Sequence, residues 1–304
     1  MPRAAKSNQI RRRRKGKKGR QRNLKSYILL FILITAAAAV LSYFQVFDES
    51  SPIVDGEIFV HFIDVGQGDA ILVQNADNAV LIDSGPRGAE ADLIAYLRSQ
   101  GVHTLDVVVA THPHADHIGS KPGILDNFNV LEVWMPDAIH TTLTFERFID
   151  AIYRNDIEVS RISAGDRLRA GQIQMMAVAP GSSGHNNLNN YCIVLHMVYG
   201  ETAFLFTGDA EAYTEEKILR SGRNIRADVM LAGHHGSHTS STDAFLDAVG
   251  AHTAVISAGA NNRYGHPHGV VLNRLQARNM DVLRTDLHGT IVFATDGETI
   301  RRYR

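Results

Sequence analysis

The stretch VVVATHPHADHIGS, residues 107 to 120, delivers three histidines and an aspartate at the end of an apolar run. Imidazole nitrogens and carboxylate oxygens are ligands for divalent cations. His112 and His114 lie two apart just beyond a buried strand, so extended backbone points both rings the same way. Asp116 and His117 follow where the chain should turn into a helix. The pattern then repeats. FLFTGDAE places Asp209 after another apolar strand, and MLAGHHGSHTSS places His234, His235 and His238 after the next one. Singly, an aspartate after Thr-Gly can cap a helix, and a loop histidine can simply face solvent. Three strands that each end in such groups point instead to a metal site assembled at the carboxyl ends of a sheet.

The elements that must position these groups are readable from about Gly56 onward. EIFVHFIDV, DAILVQ and AVLIDSG read as strands, and AEADLIAYLRSQG as an amphipathic helix stopped by glycine. LDVVVAT is a continuous apolar run of the buried-strand kind. Further strands are expected at LEVWMP, YCIVLHMVYG, TAFLFTG, ADVMLAG, TAVISAG and TIVFAT, with helices near 143–154, 211–221, 241–249 and 268–279. This alternation favours two sheets covered by helices.

Composition bounds the rest. The 304 residues are 44% hydrophobic, enough for one large core or two modest ones, and the single cysteine, Cys192, excludes an intramolecular disulfide. A net charge of −1 conceals an asymmetry. Residues 1–25 carry twelve Lys or Arg and no acid, leaving nineteen bases against thirty-two acids in the remainder, a net of −13. Residues 26–47 hold no charge, close to the ~20 residues that a helix needs to cross a bilayer. A cleavable signal peptide has an apolar stretch of roughly 7 to 15 residues, and the Ala36 to Ala39 run keeps that reading open. The greater length, with Tyr27, Tyr43 and Phe44 near the ends, favours an uncleaved anchor. The basic cluster places the N-terminus inside. The expected organisation is a basic cytoplasmic tail (1–25), a single-pass anchor in the cytoplasmic membrane (26–47), a linker (48–56) and an extracytoplasmic domain (57–304).

HFIDVGQGDAILVQ, VLIDSG, THPHADHIGS, FTGDAE, GHHGSHTSS and YGHPH, in this order and spacing, resemble the metallo-β-lactamase-fold domain of ComEC-type competence proteins. The resemblance runs from about Glu57 to the end of the chain and does not include the multi-span channel of those proteins. It implies an α/β (α+β) fold, a four-layer αββα sandwich, here preceded by one transmembrane helix, with two divalent metal ions, zinc or manganese, at its edge. By residue it implies His112 and His114 on one ion, Asp116 and His117 on the other, Asp209 bridging and His235 as the remaining ligand, with His234 its rival. Asp83 of LIDSG corresponds to a position that supports the site by hydrogen bonds. Gln67 and Asp69 are expected near it. The third histidine of the first site is missing: the chain has NNLNNYCIVL, which offers Asn190 to line the site and puts Cys192 where serine is typical. Cys192 is more readily a small core residue than a ligand. The first site is therefore short of protein ligands.

Paired ions suit phosphodiester hydrolysis, with an activated water attacking phosphorus. Asp116 and His266 are the expected catalytic groups, His266 as proton donor to the leaving oxygen, while Arg263 and Ser237 could hold a phosphate oxygen. The expected function is that of a membrane-anchored, metal-dependent phosphodiesterase or nuclease acting on DNA, single-stranded DNA included, or short oligonucleotides. A body of net charge −13 has no row of Lys and Arg for a long polyanion outside the tail. The alternatives are a hydrolase of another ester or amide, β-lactams included, and a non-catalytic metal-binding module. No protein partner is identifiable.

Overall fold

The apolar end of the strand Thr104–Val109 is buried on both faces: Val107 and Val109 pack between two sheets, while Leu105 and Val108 pack under helices. A computed structural model describes residues 56–181 and 187–303. The expected tail, the expected anchor and residues 48–55 of the expected linker lie outside the described residues, among which no helix is long and apolar enough to cross a membrane.

The first sheet begins with antiparallel β1 (Ile58–Phe62), β2 (Ile71–Gln74) and β3 (Ala79–Ile82). After α1 (Glu90–Ser99) the chain runs parallel to β3 as β4 (Thr104–Val109). Two short helices, α2 (Ala115–Ile118) and α3 (Lys121–Asn127), lead to parallel β5 (Asn129–Met135). Then α4 (Leu143–Arg154), capped by Thr142, leads to the edge strand β6 (Glu158–Arg161). The second sheet opens with the hairpin β7 (Arg167–Ala170) and β8 (Ile173–Ala179), followed by β9 (Val194–Tyr199) and β10 (Thr202–Phe206). It continues through α5 (Ala212–Arg220), β11 (Val229–Leu231), α6 (Asp243–Val249), β12 (Thr253–Ile256), α7 (Gly269–Ala277) and β13 (Asp281–Arg284). After α8 (Thr285–His288), β14 (Ile291–Thr295) and β15 (Ile300–Arg302) return to the first sheet beside β1.

The strand orders are β15-β14-β1-β2-β3-β4-β5-β6 and β13-β12-β11-β10-β9-β8-β7. One apolar cluster, with Phe62 and Val109 from one sheet and Leu195 and Phe206 from the other, lies between them. A second packs α1, α3 and α4 on the outside of the first sheet, and a third packs α5, α6 and α7 on the second. The layers are therefore helix, sheet, sheet, helix.

The sequence reading omitted β6, the β7–β8 hairpin, β13 and β15. In RLRA the buried Leu168 and Ala170 alternate with exposed Arg167 and Arg169, and Gly171 turns the chain at φ 56°; the period-2 signal is present but surrounded by charge. The other three are only three or four residues long.

Two local features serve the end of β4. Gly68 has φ 145°, and a Cβ there would lie 2.3 Å from the Asp116 carbonyl oxygen, so only glycine lets the Gln67–Asp69 loop lie against α2. Lys121, at the start of α3, is completely buried and donates from Nζ to the Val109 carbonyl at 2.7 Å. Burial pushes its pKa down to about 8, against the opposing pull of Asp83. A lysine depressed in the folded state binds fewer protons than the unfolded chain between about pH 8 and pH 10.5, so its burial costs least at high pH. Urea unfolding of wild type and Lys121→Met across this range should show the difference moving in favour of wild type as pH rises, by at most about 3 kcal/mol. A difference independent of pH contradicts this account of Lys121.

Candidate metal centre

Asp209, in the loop after β10, is 2% exposed, and four imidazole Nε2 atoms face its carboxylate. His117 and His235 approach Oδ1 at 3.2 and 3.4 Å; His112 and His234 approach Oδ2 at 3.4 and 3.5 Å. In a tetrahedral site with bonds of 2.0–2.1 Å, two ligand atoms stand about 3.3 Å apart. All four spacings match donors that share a cation.

Each ring is oriented by the chain around it. Asp83, at the end of β3, has φ 57°, a left-handed conformation that aspartate tolerates. Its Oδ1 accepts from the Thr111 N–H at 2.8 Å, and its Oδ2 from the Thr111 hydroxyl at 2.6 Å and His117 Nδ1 at 2.7 Å. His112 Nδ1 lies 3.2 Å from the Thr111 Oγ1 that is already donating to Asp83. One buried carboxylate thus holds both rings with Nε2 turned to Asp209. His235 Nδ1 donates to the Ser257 carbonyl at 2.9 Å, with the same effect. His234 and His235 are consecutive left-handed residues, at φ 52° and 56°, and this backbone lets neighbouring rings address the two oxygens of one carboxylate.

The remaining expected groups divide. His114 Nδ1 lies 2.9 Å from His112 Nε2, and Asp116 Oδ2 lies 3.4 Å from His235 Nε2. Asp69 is buried with Oδ1 3.4 Å from His235 Nδ1. Gln67 accepts from the Gly259 N–H at 3.1 Å and lines the same cleft. Ser237 Oγ pairs with Thr239 Oγ1 at 3.1 Å, and exposed Arg263 donates to the Tyr264 hydroxyl at 2.8 Å. Asn190 lies elsewhere, on a separate cavity of about 200 Å³ beside Tyr213 and Ile218. Cys192 is buried and donates to the Thr207 carbonyl at 3.4 Å; burial, Asp209 and Asp83 all push its thiol pKa up, which disfavours the thiolate.

Electrostatics concentrate here. Burial opposes charge on His117 and His235, yet Asp209, with Asp83 for the first and Asp69 for the second, holds both well above the usual histidine range. Burial likewise opposes charge on Asp209, and His117, His235 and His112 outweigh it, holding that carboxyl well below its usual value. Asp116 is lowered too, against burial, by the His235 hydrogen bond and His117. His114 and His266 go the other way, each to about 4: burial first, then His112 for His114, and His235 and His234 for His266. A ring with that pKa is neutral at pH 7 and offers a proton through its ring N–H. The rings of His234 and His235 beside half-buried His266 were not readable from YGHPH.

The fit to metal is visible in buried atoms that lack hydrogen-bond partners. Both Asp69 oxygens, Asp209 Oδ1, His117 Nε2 and His235 Nε2 are buried without one. Among the described residues, donor groups within 4.8 Å of one another include His112–His117–Asp209, Asp116–His117–His235 and Asp69–Asp209–His235. Such a donor set suits a divalent ion. Above it opens a cleft of about 390 Å³, bordered by His140 and Thr142 on one loop and Tyr264 and His266 on another. Sequence reasoning missed His140, whose ring lies 6.1 Å from that of His114, because no motif surrounds it. It also missed Glu211, two residues after Asp209, with Oε1 3.3 Å from His234 Nδ1.

Residues 63–260 match the profile of the metallo-beta-lactamase superfamily. The chain is 33% identical over 260 residues to ComE operon protein 3 of Bacillus subtilis, covering 80% of this chain and 34% of that protein. It is 32% identical over 244 residues to Competence protein ComA of Neisseria gonorrhoeae, covering 79% and 32%. The chain thus spans about a third of the length of these curated relatives. Among solved structures, the metallo-beta-lactamase fold protein YhfI of Bacillus subtilis superposes with a TM-score of 0.55 at 16% identity, over 79% of this chain and 99% of that one.

Asp83→Asn keeps the shape and the left-handed backbone but removes the carboxylate that fixes His112 and His117. Metal affinity, measured by competition with a chromogenic chelator, should fall about 10- to 100-fold with far-ultraviolet circular dichroism unchanged. Unchanged affinity contradicts the orienting role.

Proposed function

From the premise that this chain belongs to the metallo-β-lactamase superfamily, we propose that it is a metal-dependent phosphodiesterase acting on DNA or short oligonucleotides. The observation that carries the reading is the convergence of orphaned imidazole and carboxylate atoms around Asp209, below an open cleft. Two divalent ions at such a site supply a polarised water as nucleophile and positive charge for phosphate oxygens. The protein's own groups do the rest. Asp83 and Ser257 fix the tautomers of His112, His117 and His235. Asp116, partly exposed and held ionised, stands where it can accept a proton from the attacking water. His266, neutral, offers a ring N–H to the leaving oxygen instead of handing over a stored proton. Arg263, whose guanidinium lies 5.0 Å from the centre of the Tyr264 ring that borders the cleft, is the cation assigned to a non-bridging oxygen.

DNA as substrate is supported by the resemblance to competence proteins. The acidic body argues for contact with a few nucleotides near the centre and not along a long duplex. The uncharged segment 26–47 is proposed as a membrane anchor with the domain on the extracytoplasmic side.

The full chain, loaded with manganese or zinc, is to be offered a chromogenic phosphodiester, single-stranded and duplex DNA, and a chromogenic cephalosporin. Phosphodiester and single-stranded DNA turnover are expected, reduced at least about 1000-fold by Asp209→Asn. Turnover of the cephalosporin alone, or phosphodiester turnover that survives Asp209→Asn, overturns the reading.

A further inference from the structure

The resemblance implies a first cation position that has His112 and His114 but is short of a third histidine before β9. Asparagines stand there instead, and their side chains have definite partners. Asn187 Nδ2 donates to Glu211 Oε2 at 2.7 Å, and Asn189 Nδ2 donates to Glu211 Oε1 at 3.3 Å. Glu211 Oε1 in turn lies 3.3 Å from His234 Nδ1, which also pairs with Thr239 Oγ1 at 3.2 Å. The opposite nitrogen of this ring, Nε2, lies 3.5 Å from Asp209 Oδ2, the oxygen that also faces His112. A carboxyl group behind one nitrogen of a histidine, with the other nitrogen turned to a shared carboxylate, is the arrangement that orients imidazole ligands.

We propose that His234 is the third protein ligand of the first cation position and that the Asn187–Asn189–Glu211 chain orients it. This rests on the metal-centre reading given above. The two oxygens of Asp209 then divide the donors into two sets: His112, His114 and His234 with Oδ2, and Asp116, His117 and His235 with Oδ1. Among the described residues, His234 and His114 belong to no group of three donors all within 4.8 Å of one another. The first set is therefore wider than the second, and a cation held there would need the His234 ring nearer to His112 and His114, with Glu211 beside Nδ1 to orient it. Both adjacent histidines of the GHHG turn have work under this assignment, one for each ion, which gives the paired left-handed backbone at φ 52° and 56° a purpose.

The test is titration of the full chain with cobalt(II), followed by visible absorbance and by elemental stoichiometry after gel filtration. Wild type is expected to take up two equivalents. His234→Ala should retain one tight equivalent and bind the other at least about 10-fold more weakly, and Glu211→Gln, which keeps the side-chain shape, should weaken one equivalent about 10-fold. His185, the one histidine of the sequence between β8 and β9 and outside the described residues, is the rival ligand, and His185→Ala should match wild type. Two equivalents of wild-type affinity in both His234→Ala and Glu211→Gln overturn the proposal, as does loss of one equivalent in His185→Ala with none in His234→Ala. Should His234→Ala fail to fold, the Glu211→Gln titration decides alone. No cobalt uptake by wild type defeats the metal-centre reading itself, an outcome distinct from failure of this assignment.

Discussion

The structure turns on one buried carboxylate. Asp209 is sealed among the ends of β4, β10 and β11, with four imidazoles within 3.5 Å of its oxygens. Desolvating a charge in this way is costly unless opposite charge is supplied at close range. In the protein alone that charge falls on His117 and His235, whose affinity for protons is raised accordingly. Divalent ions would supply it more compactly and would meet the lone pairs that the fold leaves without partners. The two sheets are needed for this reason: β4 belongs to one and β10 and β11 to the other, and neither alone brings His112, His117 and Asp209 together.

Around that centre, orientation is delegated to groups that hold the far nitrogens of the histidine rings. Asp83 serves two rings from one left-handed residue, and Lys121 contributes a buried positive charge on the same side, lowering the Asp83 pKa after His117 has done so. On the far side, Glu211 and the asparagines before β9 form the corresponding brace for His234. The site is thus supported from both sheets, whereas its mouth is bordered by loops.

What was legible in the sequence follows from how local each signal is. His112, His114, Asp116 and His117 are fixed by spacing alone, because one strand end and one turn of helix α2 carry them. Asp209, His234 and His235 were legible because each follows an apolar run. Glu211, Asn187 and Asn189 were not singled out, since their meaning lies in contacts across 22 to 24 residues, and Asn190, which was, faces another cavity. Lys121 beside a helix start reads as an ordinary solvated lysine until the structure shows it buried. The sequence singled out His266 from YGHPH, but not its place beside the His234 and His235 rings, which the fold sets. The αββα layering was expected, while the β7–β8 hairpin was missed because its pattern of two is written in arginine.

The central proposal is that the donors gathered around Asp209 would hold two cations. Anomalous diffraction at the zinc or manganese edge, from crystals grown with that metal, tests it most directly. The account predicts two peaks flanking the Asp209 carboxylate, roughly 3.5 to 4 Å apart. A single peak shared by all four imidazoles, or peaks only on surface histidines such as His238 and His268, contradicts it.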